Sequence, residues 1–299
     1  MMTASLILTA AILQANPWVT PRAEGPGVTQ VVYDSRLAKA SVSFHVWLPE
    51  GVKEGQYEKL PVLYWLHGSG GGQAGIAPLA LLFSRAVSRG AIPKIILIFP
   101  NGLPNGMWTD SVNERTPVES ILIREVIPEV EKRFPASVSR SARMIDGFSM
   151  GGYGAGRLGF KHPDLFCAVS MLGAGPLQND LLEAPERTRI NPAARQRILD
   201  EVYGGSSKTF YDYSPSRYAK ELATSKKERP LVRVAIGEKD FTLPANRDFH
   251  KFLEKLGIEH SFTTVPDVGH EPLALIRAMG DDFWAFYREA LNKNSGVAG

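Results

Sequence analysis

The residues that could do chemistry in this chain gather around one short pattern, Gly147-Phe148-Ser149-Met150-Gly151. It follows the run Ala142-Arg143-Met144-Ile145 and leads into Gly152-Tyr153-Gly154-Ala155-Gly156-Arg157-Leu158. Between a strand and a helix, G-x-S-x-G makes so sharp a turn that the serine hydroxyl stands clear above the sheet. The glycines two before and two after the serine are pressed together by that turn, which leaves no room for a Cβ. Ser149 is the candidate nucleophile. A neutral serine hydroxyl attacks poorly, so it needs a base, and the base needs a carboxylate to orient it.

Six histidines compete for the role of base. His45 falls in an early strand, His162 at a helix end, His250 in a helical pattern and His260 at a strand start. His67 precedes a glycine run and is better suited to holding that loop. His270 lies in Pro266-Asp267-Val268-Gly269-His270-Glu271-Pro272, after the last strand and before the last helix. A loop there emerges at the same sheet edge as Ser149, which favours a catalytic base over a solvated surface residue. For the acid, Asp240 leaves the preceding strand after Ala235-Ile236-Gly237-Glu238-Lys239. Asp267 and, more weakly, Glu238 are its rivals. Asp240 is preferred because a separate loop can reach the far ring nitrogen, whereas Asp267 would have to fold back on its own loop. The order Ser149, Asp240, His270 is that of nucleophile, acid and base in α/β sheets with this turn.

An acyl-transfer intermediate needs two backbone N–H donors aimed at its oxyanion. Met150 supplies one from the start of its helix, where the helix dipole assists. The loop Leu66-His67-Gly68-Ser69-Gly70-Gly71-Gly72 supplies the other, with Ser69 as the chosen residue. A phosphate-cradling loop is the competing reading, but no Gly-Lys-Ser/Thr follows. No spacing of the H-E-x-x-H or paired-cysteine kind suggests a metal. Trp108, in Asn101-Gly102-Leu103-Pro104-Asn105-Gly106-Met107-Trp108-Thr109-Asp110, either packs its own loop or forms a wall of the substrate pocket.

These loops need a scaffold that brings them to one edge. Val42 to Leu48 alternates with period two, as a half-exposed antiparallel strand does, while Val62–Leu66 and Ile95–Phe99 are continuous apolar runs typical of parallel strands covered on both faces. Helical patterns follow around Ala80–Val87, Glu119–Phe134, 150–161 and Leu273–Leu291, with further strands at Cys167, Leu231–Ile236 and His260–Val265. Alternating β and α elements imply an α/β fold, a doubly wound and mostly parallel sheet with helices on both faces. One domain is expected over residues 29–291. The stretch from Gly173 to Pro230 has helical patches but no strand, and it is read as a small helical cap inserted at the catalytic edge.

Composition sets the outer bounds. The 299 residues are 44% hydrophobic and 22% charged, with a formal net charge of +3, ordinary for a globular protein and against nucleic-acid binding. The single cysteine, Cys167, excludes an intrachain disulfide and reads as a buried strand residue. Residues 1–20 carry no charge and hold the apolar run Leu6–Leu13, a possible signal peptide cut near Ala15, which points to a secreted or periplasmic protein rather than a cytoplasmic one. No other segment reaches the roughly 18 apolar residues a membrane span needs.

Taken together, the Leu66–Gly71 loop, the Trp108 loop with Ile123-Arg124-Glu125-Val126-Ile127-Pro128, the Gly147–Ala155 turn and Gly269-His270 resemble the esterase D-like branch of the α/β-hydrolases. The similarity runs from about Val42 to Leu291. That branch holds feruloyl and acetylxylan esterases, short-chain acyl esterases, S-formylglutathione hydrolases and mycolyltransferases. The resemblance implies an α/β-hydrolase fold and a serine carboxylesterase, with Ser149, Asp240 and His270 as the triad and Ser69 and Met150 as the oxyanion hole. It implies no cofactor, and a short-chain or small aromatic ester as substrate, free or linked to a polysaccharide. An acyltransferase with the same triad, a peptidase of this fold, or a non-catalytic binding protein on it are the alternatives.

Overall fold

A computed structural model describes residues 16–55, 58–183 and 191–294. Its strands are β1 (Val28–Ser35), β2 (Ala40–Trp47), β3 (Val62–Leu66), β4 (Ile96–Pro100), β5 (Arg143–Phe148), β6 (Ala168–Leu172), β7 (Leu231–Gly237) and β8 (Ser261–Val265). They form one 8-stranded sheet in the order β1-β2-β4-β3-β5-β6-β7-β8. β1 pairs antiparallel with β2, and β2 antiparallel with β4. All other pairs are parallel. This is the doubly wound, mostly parallel α/β sheet that the sequence led us to expect. β1 had no separate reading in the sequence, because at this edge only Val31 and Ser35 of its residues are buried and no apolar run marks it.

The helices are α1 (Gln73–Ser88), α2 (Val118–Ile121), α3 (Ile127–Arg133), α4 (Met150–Lys161), α5 (Pro192–Tyr203), α6 (Ser207–Asp212), α7 (Pro215–Thr224), α8 (Leu243–Lys255), α9 (Pro272–Met279) and α10 (Asp281–Asn294). A wider π turn over Leu122–Val126 joins α2 to α3. The expected single helix over Leu273–Leu291 is in fact two, because Gly280 adopts φ +58 between α9 and α10. That positive φ, which glycine reaches without a Cβ clash, breaks the helical turn.

Central strands feed two cores. Val62, Tyr64 and Leu66 of β3 face one, with Val130, Leu158 and Leu253 of α3, α4 and α8. Leu63 and Trp65 face the other, with Phe83, Ile276 and Phe283 of α1, α9 and α10. Burial on both faces hides the period of two inside a continuous apolar run. Phe83 is wholly buried and meets Trp284 edge-on at 5.0 Å. Phe83→Ala would cost about 3–5 kcal/mol, transfer and cavity together.

Two buried polar networks tie these layers together. Asp146, the last residue before the glycine turn, accepts the Gly147 N–H at 2.6 Å, the Tyr287 hydroxyl and the Arg233 guanidinium, whose Nη2 lies 3.3 Å away. Arg233 also donates to Phe283 O at 2.8 Å and stacks over Phe286. Burial pushes the Asp146 carboxyl up to about 6, against the pull of Arg233, Tyr287, Ser170 and the Gly147 N–H. On the opposite face, Glu119 receives Arg157, Lys161 and His162, each at 2.7 Å. Burial alone would raise its pKa, yet those partners hold it well below the usual carboxylate range.

Between β6 and β7 lie α5, α6 and α7, whose first turns are capped by the side chains of Asn191, Ser206 and Ser214. At the other end of the chain, residues 16–23 run beside β2. Ser43 N donates to Trp18 O at 3.0 Å, Thr20 N to Ser43 Oγ at 2.8 Å, and Ala23 N to His45 Nε2 at 3.1 Å. Residues 1–15 of the expected leader lie outside the described residues, whereas Asn16–Thr20 are hydrogen-bonded to β2 and Asn101. No helix of the described residues is long and apolar enough to cross a membrane.

Candidate active site

Ser149 sits at the junction of β5 and α4 with φ +60, a strained value for a residue that carries a Cβ. The crossing that imposes it is tight. A Cβ on Gly151 would come within 1.9 Å of Leu66 O, and one on Gly147 within 2.4 Å of Gly151. Ser149 N donates to Leu172 O at 3.0 Å, so β6 holds the turn from the side.

His270 Nε2 stands 2.9 Å from Ser149 Oγ, and His270 Nδ1 stands 2.7 Å from Asp240 Oδ2. The imidazole lies between Phe148 and Phe241, with ring centroids at 4.6 and 4.5 Å, which fixes its plane. Asp240 is buried, and its other oxygen accepts the Thr242 N–H at 2.8 Å and the Thr242 hydroxyl at 2.9 Å. The rival carboxylates lie elsewhere. Asp267 pairs with Lys239 at 2.7 Å with 85% of its side chain exposed, and Glu238 is exposed. The structure therefore brings Ser149, His270 and Asp240 into one hydrogen-bonded line and leaves Asp267 outside it.

The glycine loop faces this line. A Cβ on Gly68 would lie 3.3 Å from Ser149 Cβ, so the backbone passes directly over the serine. Gly70 N is spent on Pro104 O at 2.8 Å. The Ser69 and Met150 amides have no backbone acceptor among the described residues, as donors reserved for a ligand oxygen should not. His67 is half-buried and held neutral: Gly102 N donates to its Nε2 at 3.0 Å, its Nδ1 donates to Gly68 O at 2.8 Å, and desolvation lowers its pKa to about 4.

Trp108 corrects one expectation. It is not a pocket wall. Its side chain is wholly buried beneath the glycine loop, packed against Gly102 and Gly154, with Nε1 donating to His67 O at 3.1 Å. A Cβ on Gly154 would come within 2.5 Å of the indole, so α4 supplies the flat surface the ring lies on. The neighbouring Met107 reaches the cavity instead.

That cavity, about 430 Å³, opens above Ser149. Trp65, Ile76, Leu79, Phe99, Met107, Phe148 and Phe241 give it apolar walls, and Gln178, Leu181, Arg195 and Ile198 close it from the stretch between β6 and β7. Phe241, Gln178 and Arg195 are wall residues that no motif in the sequence marks. Phe241 was legible, since it directly follows Asp240. Gln178 and Arg195 lie in irregular sequence with no motif around them.

The family model described as "Putative esterase" matches residues 35–293. An acetyl esterase of Caldicellulosiruptor saccharolyticus is 26% identical over 239 residues, 78% of this chain and 88% of that one. An endo-1,4-beta-xylanase/feruloyl esterase of Xylanibacter ruminicola is 26% identical over 170 residues, 54% of this chain but only 23% of that longer protein. Among solved structures, a ferulic acid esterase superposes with a TM-score of 0.70 at 25% identity, covering 88% of this chain and 98% of its own. The S-formylglutathione hydrolase FrmB of Staphylococcus aureus shares the fold, with a TM-score of 0.66 at 22% identity over 87% of this chain and 98% of its own.

Proposed function

Because this chain belongs to the esterase family, we propose that Ser149, His270 and Asp240 form the triad through which it hydrolyses carboxylic esters by way of an acyl-enzyme. Ser149 Oγ attacks the ester carbonyl while His270 Nε2 takes its proton, and the same nitrogen then protonates the departing alcohol. Asp240 holds the imidazole through Nδ1 and stabilises the imidazolium. The Ser69 and Met150 amides receive the oxyanion. Water, activated by His270 in turn, releases the acid.

The observation that carries this reading is the line Ser149–His270–Asp240, with contacts of 2.9 and 2.7 Å, opening onto a cavity beneath two unspent amides. The stretch from Gly173 to Pro230 serves as a cap in this scheme, since Leu181 and Ile198 help to close the cavity. The cavity volume suits an acetyl to butyryl group or one compact aromatic acyl group, and the acetyl and feruloyl esterases among the relatives support both.

The test is hydrolysis of p-nitrophenyl butyrate by Ser149→Ala. The rate should fall by several orders of magnitude in a folded protein, because members of a triad act as a unit. A sulfonyl fluoride should label Ser149 in the unaltered enzyme. Activity retained in the variant, or labelling at another residue, would remove the assignment.

A further inference from the structure

The cavity above Ser149 is apolar over most of its wall, and its charge is unevenly placed. Among the described lining residues Arg195 is the sole lysine or arginine and Glu271 the sole acid. Glu271 is exposed and follows His270, whereas Arg195, on α5, is only 5% exposed. Gln178 lines the same cavity from the same connecting stretch, and its buried Nε2 has no acceptor among the described residues. Leu181 and Ile198 flank the pair with apolar surface.

A guanidinium is not kept in an apolar wall without cost. It carries five N–H donors in one plane, more than a single partner engages, and so retains the capacity to bind a second acceptor. Gln178 adds a buried amide that must find an oxygen or stay unsatisfied. The ligand group that suits a planar, donor-rich pole is a carboxylate, which accepts two parallel N–H bonds and still has lone pairs to spare. Resting on the esterase reading above, we infer that this enzyme selects esters that carry a carboxylate, bound by Arg195 with Gln178 beside it while the ester carbonyl lies at Ser149. The reaction is unchanged: the ester bond breaks, water is consumed, and the remote carboxylate takes no part.

The experiment compares matched substrates. With the carboxylate on the acyl side, p-nitrophenyl monoesters of succinic, glutaric and adipic acid are set against neutral alkanoates of equal length. With the carboxylate on the alcohol side, 4-acetoxycinnamate is set against its methyl ester. Spontaneous hydrolysis, which the acyl-side acids assist intramolecularly, is subtracted with Ser149→Ala. In at least one arm kcat/KM should favour the acid by about tenfold or more, the worth of a charged hydrogen bond. Arg195→Gln should erase that ratio, Arg195→Lys should keep part of it, and Gln178→Leu should lower it a few-fold. A loosened α5 would instead slow both members of a pair alike, and melting temperatures report that directly. No preference for the acid in either arm, or a ratio that Arg195→Gln leaves in place, overturns the inference. Neutral esters hydrolysed in a Ser149-dependent manner without such a preference defeat this inference alone, while Ser149-independent hydrolysis defeats the esterase reading beneath it.

Discussion

Asp240 and Asp267 are the same side chain thirty residues or fewer from the same imidazole, and their surroundings separate them. Asp240 is buried, with one oxygen on Thr242 and the other on His270 Nδ1. Asp267 faces solvent with Lys239 as its partner. Asp240→Asn should therefore lose about 10⁴-fold in kcat, because the amide favours the wrong imidazole tautomer. Asp267→Asn gives up only an exposed ion pair that solvent screens, and should keep nearly full activity. Steady-state kinetics on one short-chain ester decide between them, and the reverse ranking would move the acid to the other loop. Sequence carried the reading of Ser149, His270 and Asp240 because chain order, strand exits and turn glycines all constrain those positions. It carried Trp108 badly. A tryptophan in a glycine-rich loop at the catalytic edge can turn outward or back, and the ring went back because Gly102 and Gly154 present bare backbone to it.

The loop that carries Ser69 is braced by its neighbour. The stretch Asn101–Asp110 reaches the glycine loop at three points: Trp108 Nε1 to His67 O, Gly102 N to His67 Nε2, and Gly70 N to Pro104 O. Leu103, Met107 and Trp108 all hold positive φ there, conformations that cost about 1 kcal/mol or more each and persist only where contacts compel them. Ser69 lies between the braced residues. Trp108→Phe, which keeps an aromatic ring but loses the N–H and part of the indole's bulk, should lower kcat about tenfold with little change in KM, as expected for a donor felt mainly in the transition state. A change in KM alone would return Trp108 to the substrate pocket. The stretch between β6 and β7 sets a second limit. Leu181 and Ile198 close a cavity of about 430 Å³, so kcat/KM should rise with acyl length only while methylenes still find wall to cover, at roughly 0.8 kcal/mol each, and fall beyond about eight carbons. A steady climb to palmitoyl esters, measured over a p-nitrophenyl series, would contradict this wall. The alternation of strands and helices was legible because central strands are buried on both faces. β1, at the edge with few buried residues, and the break at Gly280, a single glycine inside an apolar pattern, were not.

For the molecule as a whole, the buried ionisable groups set the response to acid. Burial lowers both His45 and His67 to about 4. Unfolded histidine takes up its proton near 6.5, so between about 6.5 and 4 the unfolded chain binds protons that the fold refuses, and stability falls as pH falls. Each group costs up to about 3 kcal/mol across that window. Asp146, raised to about 6, works the other way, because the fold takes its proton first and gains stability as pH drops below that value. Two against one, the melting temperature should decline from pH 7 to pH 4.5. His67→Gln, which keeps an acceptor for Gly102 N but cannot titrate, should show a smaller decline than the unaltered protein even if it melts lower at neutral pH. An equal or steeper decline would mean that His67 is charged in the fold. The irregular segment of residues 16–23 bears on how this polypeptide can be engineered. Thr20 contributes to the cavity wall while its neighbours are stitched to β2 and, through Pro17, to Asn101. One part of the cavity wall is thus supplied by a segment that precedes the sheet, so truncation into that segment reaches the pocket. Trimming to Gly25 should leave an enzyme with a leaking pocket and an unclamped β2, whereas a fusion partner joined ahead of Asn16 should leave the pocket's substrate profile as it was.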